Sequence, residues 1–143
     1  MSEYDFGNGL VSANRHVNPD GSEGGWVADS AFVASSAYIG TDALIYDNAQ
    51  VYGNALVYGN AQVYGYAQVF GNAVVDGDAM VSGKAWVYDN AKVFGDAEVS
   101  GNTRIFGYAE VYDNAEVSGN KTTDKDNMVQ SKTDNCTISP KDF

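Results

Sequence analysis

Residues 49–66 read Ala-Gln-Val-Tyr-Gly-Asn, Ala-Leu-Val-Tyr-Gly-Asn and Ala-Gln-Val-Tyr-Gly-Tyr, which is one six-residue unit written three times. Outward from this stretch, every sixth position from Val27 to Val117 holds Val or Ile, sixteen positions without a break. Two residues before them, fourteen of the fifteen positions from 31 to 115 hold Ala, and Thr103 takes the remaining one. An uninterrupted short period of this kind indicates a repeat architecture.

Each hexad predicts one short strand followed by a corner. Alternate side chains of a strand face the same way, so Ala and Val point inward and the residue between them points outward. From Ile45 onward, the second residue after each Val or Ile is Gly or Asp, which tolerate the positive φ of tight corners. A strand and a corner repeated in one phase must coil, because hairpins would not keep that phase. The pattern predicts an all-β, three-sided β-solenoid of about five coils, with roughly 18 residues per coil and a height of about 25 Å.

The Ala-x-Val-x-Gly-Asn hexad resembles the hexapeptide repeat of the left-handed parallel β-helix superfamily, over residues 27–120. The segment Gly24-Gly25-Trp26-Val27, which leads into the repeat, also resembles a bacterial and bacteriophage branch of that superfamily whose members are described as acyltransferases. The resemblance implies a left-handed, single-stranded parallel β-helix, a trimer of prisms side by side, and a phage or prophage relation. In the acyltransferases it also implies a His general base near a loop inserted between coils.

The repeat divides the chain into three parts, because a solenoid must close both of its ends. Residues 27–120 are the predicted β-helix, and residues 1–26 are the predicted N-terminal cap. The apolar side chains expected to form that cap include Tyr4, Phe6, Leu10, Val11 and Val17. Residues 121–143 carry four of the eight Lys and Arg residues and are neutral overall, which predicts a C-terminal cap or a mobile tail. Thr123 and Val129 keep the phase of the repeat and favour one further, degenerate coil.

Composition and charge exclude several classes of function. The chain has 143 residues, of which 44% are apolar, as expected for one folded domain. Eight Lys and Arg against 19 Asp and Glu give a net charge of −11, which opposes direct binding of nucleic acid or anionic lipid. No apolar run reaches the length of a membrane span, and the first residues do not resemble a signal peptide. We therefore expect a cytoplasmic protein that does not enter the membrane.

Because residues n and n+18 stack, the outward residues form three columns, one on each face of the prism. The first face begins at Trp26 and ends in Ser and Glu, the second begins at Phe32, and the third begins at Tyr38. The interface candidates are Tyr52, Phe70, Trp86, Tyr88 and Phe106 on the second face and Leu56, Tyr58, Val74, Phe94 and Tyr112 on the third. Stacking between coils and a protein interface both explain such columns. Two adjacent apolar faces predict a homotrimer with the first face in water.

Few residues offer chemistry. His16 is the one His of the sequence, and it precedes the repeat. The six-residue period is unbroken from residue 27 to residue 117, so no loop is inserted between coils. Cys136 has no identifiable partner base. The corner residues Asp42, Asp78 and Asp96 point outward in a row, which does not suit a cation that needs converging oxygens. The sequence therefore predicts no catalytic residue, no metal ligand and no cofactor, and it leans against an enzyme.

The favoured function is that of a non-enzymatic structural or interaction protein, phage or prophage related, which binds itself and a host or phage protein through its aromatic faces. Two alternatives stay open. One is an acyltransferase-like protein with a ligand site between subunits. The other is an acidic decoy that inhibits a host nucleic-acid-binding protein, since an acidic rod about as wide as a duplex suits such a protein's groove.

Overall fold

In the computed structural model, each hexad from Phe32 onward contributes a strand of two residues, and the first strand of the repeat is longer. The structure describes residues 2–7 and 9–118, together with the backbone of two later strands. The twenty strands are β1 (Glu3–Asp5), β2 (Leu10–Val17), β3 (Glu23–Ala28), β4 (Phe32–Val33), β5 (Tyr38–Ile39), β6 (Leu44–Ile45), β7 (Gln50–Val51), β8 (Leu56–Val57), β9 (Gln62–Val63), β10 (Gln68–Val69), β11 (Val74–Val75), β12 (Met80–Val81), β13 (Trp86–Val87), β14 (Lys92–Val93), β15 (Glu98–Val99), β16 (Arg104–Ile105), β17 (Glu110–Val111), β18 (Glu116–Val117), β19 (Thr122–Thr123) and β20 (Met128–Val129).

Strands three apart in the chain pair in parallel and build three sheets, one on each face. The first sheet has the order β1-β2-β3-β6-β9-β12-β15-β18, the second β4-β7-β10-β13-β16-β19 and the third β5-β8-β11-β14-β17-β20. Each parallel pairing joins residue n to residue n+18, as Val69 to Val87. Strands β19 and β20 keep this register, with Thr123 opposite Ile105 and Val129 opposite Val111. The prediction of a three-sided parallel solenoid of about five coils is confirmed.

The core runs along the axis of the prism and contains the inward Val, Ile and Ala residues. From Ala37 to Val117 these side chains are fully buried. Thr103 stands at one of the Ala positions, and its Oγ1 donates a hydrogen bond to the Ser100 carbonyl at 2.7 Å, so its hydroxyl is satisfied inside the core. Burying each Val contributes about 1.5–3 kcal/mol, and this is the main force that keeps the coils together.

The corners have the backbone conformation that their residue types predicted. Between positions 47 and 113, Gly or Asp at the corner has φ between 58° and 71°. At two of the three Asp corners, the carboxylate adds a bond to the next coil: Asp47 accepts from the Gly65 N–H at 3.2 Å, and Asp89 accepts from the Gly107 N–H at 3.2 Å. The three Asp corners therefore replace Gly without breaking the repeat.

The N-terminal segment extends the first sheet as two antiparallel strands. β2 pairs with β3, and β1 pairs with β2, so the predicted boundary at 26/27 falls within β3. Tyr4 stacks on Trp26 with ring centroids 5.0 Å apart, and Phe6 stacks on Tyr46 at 4.8 Å. The other three apolar side chains expected in the cap are exposed to solvent: Leu10, Val11 and Val17. Only the two aromatic residues of that set cover the prism.

Candidate interaction faces

The aromatic column of the second face is a continuous stack. Ring centroids lie 4.9 Å apart for Tyr52 and Phe70, 4.9 Å for Phe70 and Tyr88, and 5.4 Å for Tyr88 and Phe106. The ring planes are within 13° of parallel, and the parallel register places equivalent side chains above one another every 18 residues. Stacked rings cover one another's faces and present mainly their edges to solvent, which limits what the column can offer to a flat ligand.

Two further contacts hold side chains of the second face against their neighbours. The guanidinium of Arg104 lies over the ring of Trp86, 4.3 Å from its centroid, and the Tyr52 hydroxyl donates to Gln68 Oε1 at 3.0 Å. Burial raises the pKa of both Tyr52 and Tyr88 above the ordinary tyrosine value. The five candidates of the second face are therefore half-buried and engaged with their neighbours within the chain.

The third face differs because its N-terminal half has apolar side chains that are open to solvent. Tyr38, Leu56 and Tyr58 line a shallow groove of about 340 Å³ with Gly40. Leu56 and Tyr58 are exposed. Burial, and then the neighbouring carboxylate of Asp76, raise the pKa of Tyr58 above its ordinary value.

Farther down the third face, the column becomes a stack and then turns polar. Val74 is half-buried and pairs in register with Leu56 above it and Lys92 below it. Phe94 stacks on Tyr112 with centroids 5.3 Å apart. Leu56 thus lies in the groove with Tyr58 and beside Val74 of the next coil. In the 18-residue register, Asp76 stands between Tyr58 and the Phe94 and Tyr112 pair.

Two exposed tyrosines at corners were not among the sequence-derived candidates. Tyr66, on the corner between the first and second faces, is 60% exposed, and Tyr108, between the second and third faces, is 64% exposed. Both stand directly after a corner Gly, where the repeat usually has Asn or Asp. That replacement was the available signal, because a large aromatic side chain at a solvent corner has no place in the core.

Of the two residues considered for catalysis, His16 has a partner in the structure and Cys136 does not belong to the part that is described. His16 Nε2 lies 2.9 Å from the Ala37 carbonyl, so this nitrogen donates a hydrogen bond to the backbone. Cys136 lies outside the described residues. Within residues 2–7 and 9–118, no group of three or more His, Cys, Asp or Glu side chains is placed to hold a metal ion.

A family model described as the YdcK beta solenoid repeat matches residues 49–65 and 67–83. Each matched segment is close to one coil of the prism, and both lie in its middle. No curated protein and no solved structure matches the chain. The chain is a β-solenoid repeat protein. Its resemblance to the acyltransferase branch stays a prediction.

None of the residues that the structure describes belongs to a helix with the length and apolarity needed to cross a bilayer.

Proposed function

We propose that this protein is a non-enzymatic interaction protein of the cytoplasm, phage or prophage related, which assembles as a side-by-side homotrimer and binds a host or phage protein. The observation that carries the proposal is the apolar groove on the third face, formed by Tyr38, Leu56 and Tyr58. Scattered exposed apolar residues are ordinary, but a contiguous apolar patch is typical of a protein interface.

The geometry of a triangular prism supports three-fold assembly. A trimer of parallel prisms uses two adjacent faces of each chain, and the corner between those faces points at the symmetry axis. The aromatic stack of the first face ends at Tyr64, whereas aromatic side chains continue to Phe106 on the second face and to Tyr112 on the third. The corner between the second and third faces carries Tyr108, which is exposed. The first face, whose C-terminal half is Ser and Glu, then faces water.

The mass in solution tests this assembly. Light scattering should give about 45 kDa for the wild type, three chains of 15.2 kDa. Tyr108→Glu should reduce the mass to that of one chain, because three carboxylates would meet at the axis beside Asp89. Tyr66→Glu is the matched control: the same residue type, similar exposure and the same substitution, but on a corner away from the axis.

A second variant tests the groove itself. Leu56→Glu should also give monomers, because it places an unpaired charge within the buried contact. Circular dichroism of each variant confirms that the solenoid is intact. A monomeric wild type at high concentration, or equal masses for Tyr108→Glu and Tyr66→Glu, would contradict the proposal.

A further inference from the structure

The first coil closes the N-terminal edges of its three sheets in different ways. On the first sheet, β2 pairs with the edge of β3. On the third sheet, two side chains take the place of a strand and bond to the edge of β5. Asn18 Oδ1 accepts from the Ile39 N–H at 2.8 Å, and Asn18 Nδ2 donates to the Ile39 carbonyl at 3.1 Å. His16 Nε2 donates to the Ala37 carbonyl at 2.9 Å. These are the backbone groups that a preceding coil would bind.

The second sheet has no such closure in the part of the chain that the structure describes. β4 is the end strand of this sheet and pairs only with β7. Six residues earlier in the repeat, the groups equivalent to those on β5 are the Val33 N–H, the Val33 carbonyl and the Ala31 carbonyl. Among the described side chains, none bonds to these three groups as Asn18 and His16 bond to β5. A strand edge with free donors and acceptors is a template for another extended chain.

The open edge of β4 lines a groove, because Ala31, Phe32 and Val33 are among the residues that form it. The groove measures about 310 Å³ and runs between β2, at residues 14–17, and the first coil, at residues 27–33. Val17 and Phe32, both exposed, stand at its sides. Because β1 and β2 extend the first sheet two strands past β3, about 10 Å, the flat end of a second prism cannot reach β4. A single extended segment can.

The charge around the groove selects among such segments. Asp29 lines the groove, and the rest of residues 2–31 contains four more acidic side chains, Glu3, Asp5, Asp20 and Glu23. Arg15 is their one basic counterpart, and its guanidinium is already bound to the Gly24 carbonyl at 3.0 Å and packed on Trp26. A segment that brings Lys or Arg on either side of a short β-branched run complements this surface.

We propose that the free edge of β4 binds an extended, basic-flanked segment of a partner protein by strand addition. The partner backbone bonds to Val33 and Ala31, and its apolar side chains contact Val17 and Phe32. Main-chain bonds supply the affinity in this mode of recognition, and the flanking charges supply selectivity. The site lies at the end of the prism and does not depend on the proposed trimer.

The test uses the full chain and a fluorescent, end-blocked peptide, Lys-Lys-Val-Thr-Val-Thr-Lys-Lys, in anisotropy titrations at low salt. We expect saturable binding. A peptide of the same sequence with N-methyl groups on alternate backbone amides should bind at least about ten-fold more weakly, because it keeps the charge and loses the donors. A peptide with Glu in place of Lys should also bind at least about ten-fold more weakly.

Two variants on one strand locate the site. Val17→Lys, at the groove, should weaken binding by at least about ten-fold, whereas Leu10→Lys, on β2 but outside the groove, should bind like the wild type. The two side chains are 67% and 66% exposed, so neither change disturbs the core. Equal binding of the N-methylated peptide, or equal effects of the two Lys variants, would overturn the proposal in favour of simple charge attraction. Self-association that Val17→Lys abolishes would overturn it in favour of a second copy.

The proposed peptide site and the proposed trimer can be contradicted independently of each other. Tyr108→Glu should leave peptide binding unchanged even where it reduces the mass to one chain, and loss of binding in this variant would overturn the assignment to β4.

Discussion

The carboxamide of Asn18 occupies the place of a preceding coil above β5, with one acceptor and one donor on the two backbone groups of Ile39. The side chain is buried, so both groups would lose a partner in a site with little access to water. A buried polar group left unsatisfied costs about 1–3 kcal/mol. Asn18→Ala should therefore lower the free energy of unfolding by about that amount, as measured by urea denaturation.

Asn14→Ala is the control for this prediction. Asn14 Nδ2 donates to Asp29 Oδ1 at 3.1 Å, but the side chain is exposed, and water can replace the bond. Its loss should cost less than about 1 kcal/mol. Equal losses for the two variants would contradict the capping role of Asn18.

Tyr46 makes the free energy of unfolding depend on pH in the alkaline range. Burial first, and then the neighbouring Tyr64 and Asp47, raise the pKa of Tyr46 to about 12. The unfolded chain ionises this phenol near its ordinary pKa of about 10, whereas the folded protein holds it neutral to a higher pH. The stability that Tyr46 contributes is therefore complete below about pH 10 and is lost as the pH rises towards 12.

Tyr46→Phe should reduce the fall in unfolding free energy over this alkaline range, as measured by urea denaturation at a series of pH values. At neutral pH the variant loses the bond from the Tyr46 hydroxyl to Gln62 Oε1, 2.9 Å long, and should be less stable by about 0.5–1.5 kcal/mol. Tyr66→Phe is the control for loss of a phenol hydroxyl at an exposed corner. An unchanged slope in Tyr46→Phe would contradict the assignment.

At the scale of the structural element, each hexad has a strand and a corner, and the corner residue with positive φ is either Gly or Asp. Gly53 has φ of 67°, and a Cβ built on it would lie 2.9 Å from the Gly71 nitrogen. Gly53→Ala should destabilise the protein by at least about 1–2 kcal/mol, because an L-residue is strained in this region. Gly53→Asp should cost less, because its carboxylate can accept from the Gly71 N–H as Asp47 does from Gly65. Thermal unfolding ranks the two variants, and Ala at or above Asp would contradict the role of the carboxylate.

The strands and corners of the prism followed from the sequence because each position has one dominant physical requirement. Val69 must be buried, and residue 53 must adopt a positive φ. Each requirement recurs every six residues, so the period of the sequence locates both the strands and the corners. The N-terminal strands β1 and β2 carry no such period. Their placement depends on long-range partners, such as Asn18 with Ile39, which local patterning does not encode.

The candidate faces were predictable in part for the same reason. Which residues point outward follows from alternation, and the stacked rings of Tyr52 and Phe70 follow from the 18-residue spacing. How much of each ring stays open depends on its neighbours in three dimensions. That is why the structure singles out Leu56 and Tyr58 from the column of the third face, and why it adds Tyr108 at the corner.

At the scale of the whole molecule, parallel stacking places like or opposite charges one coil apart. Between residues 27 and 118 there are eleven acidic and three basic side chains, so repulsion dominates. Glu98 lies in register with Glu116 on the first face, whereas Glu110 lies in register with Lys92 on the third. Directly opposed charges on neighbouring strands change stability by about 0.2–1 kcal/mol, with the sign set by the pair.

Two charge-neutralising variants should therefore act in opposite directions. At about 0.01 M salt, where the Debye length is about 30 Å, Glu98→Gln should raise the melting temperature and Glu110→Gln should lower it. At about 1 M salt, where the Debye length is about 3 Å, both should approach the wild type, because the stacked side chains are then screened from each other. Both variants remove one negative charge, so the change in net charge of the chain is the same. If the two variants shift the melting temperature in the same direction, net charge and not the register of the coils controls the electrostatic stability of the prism.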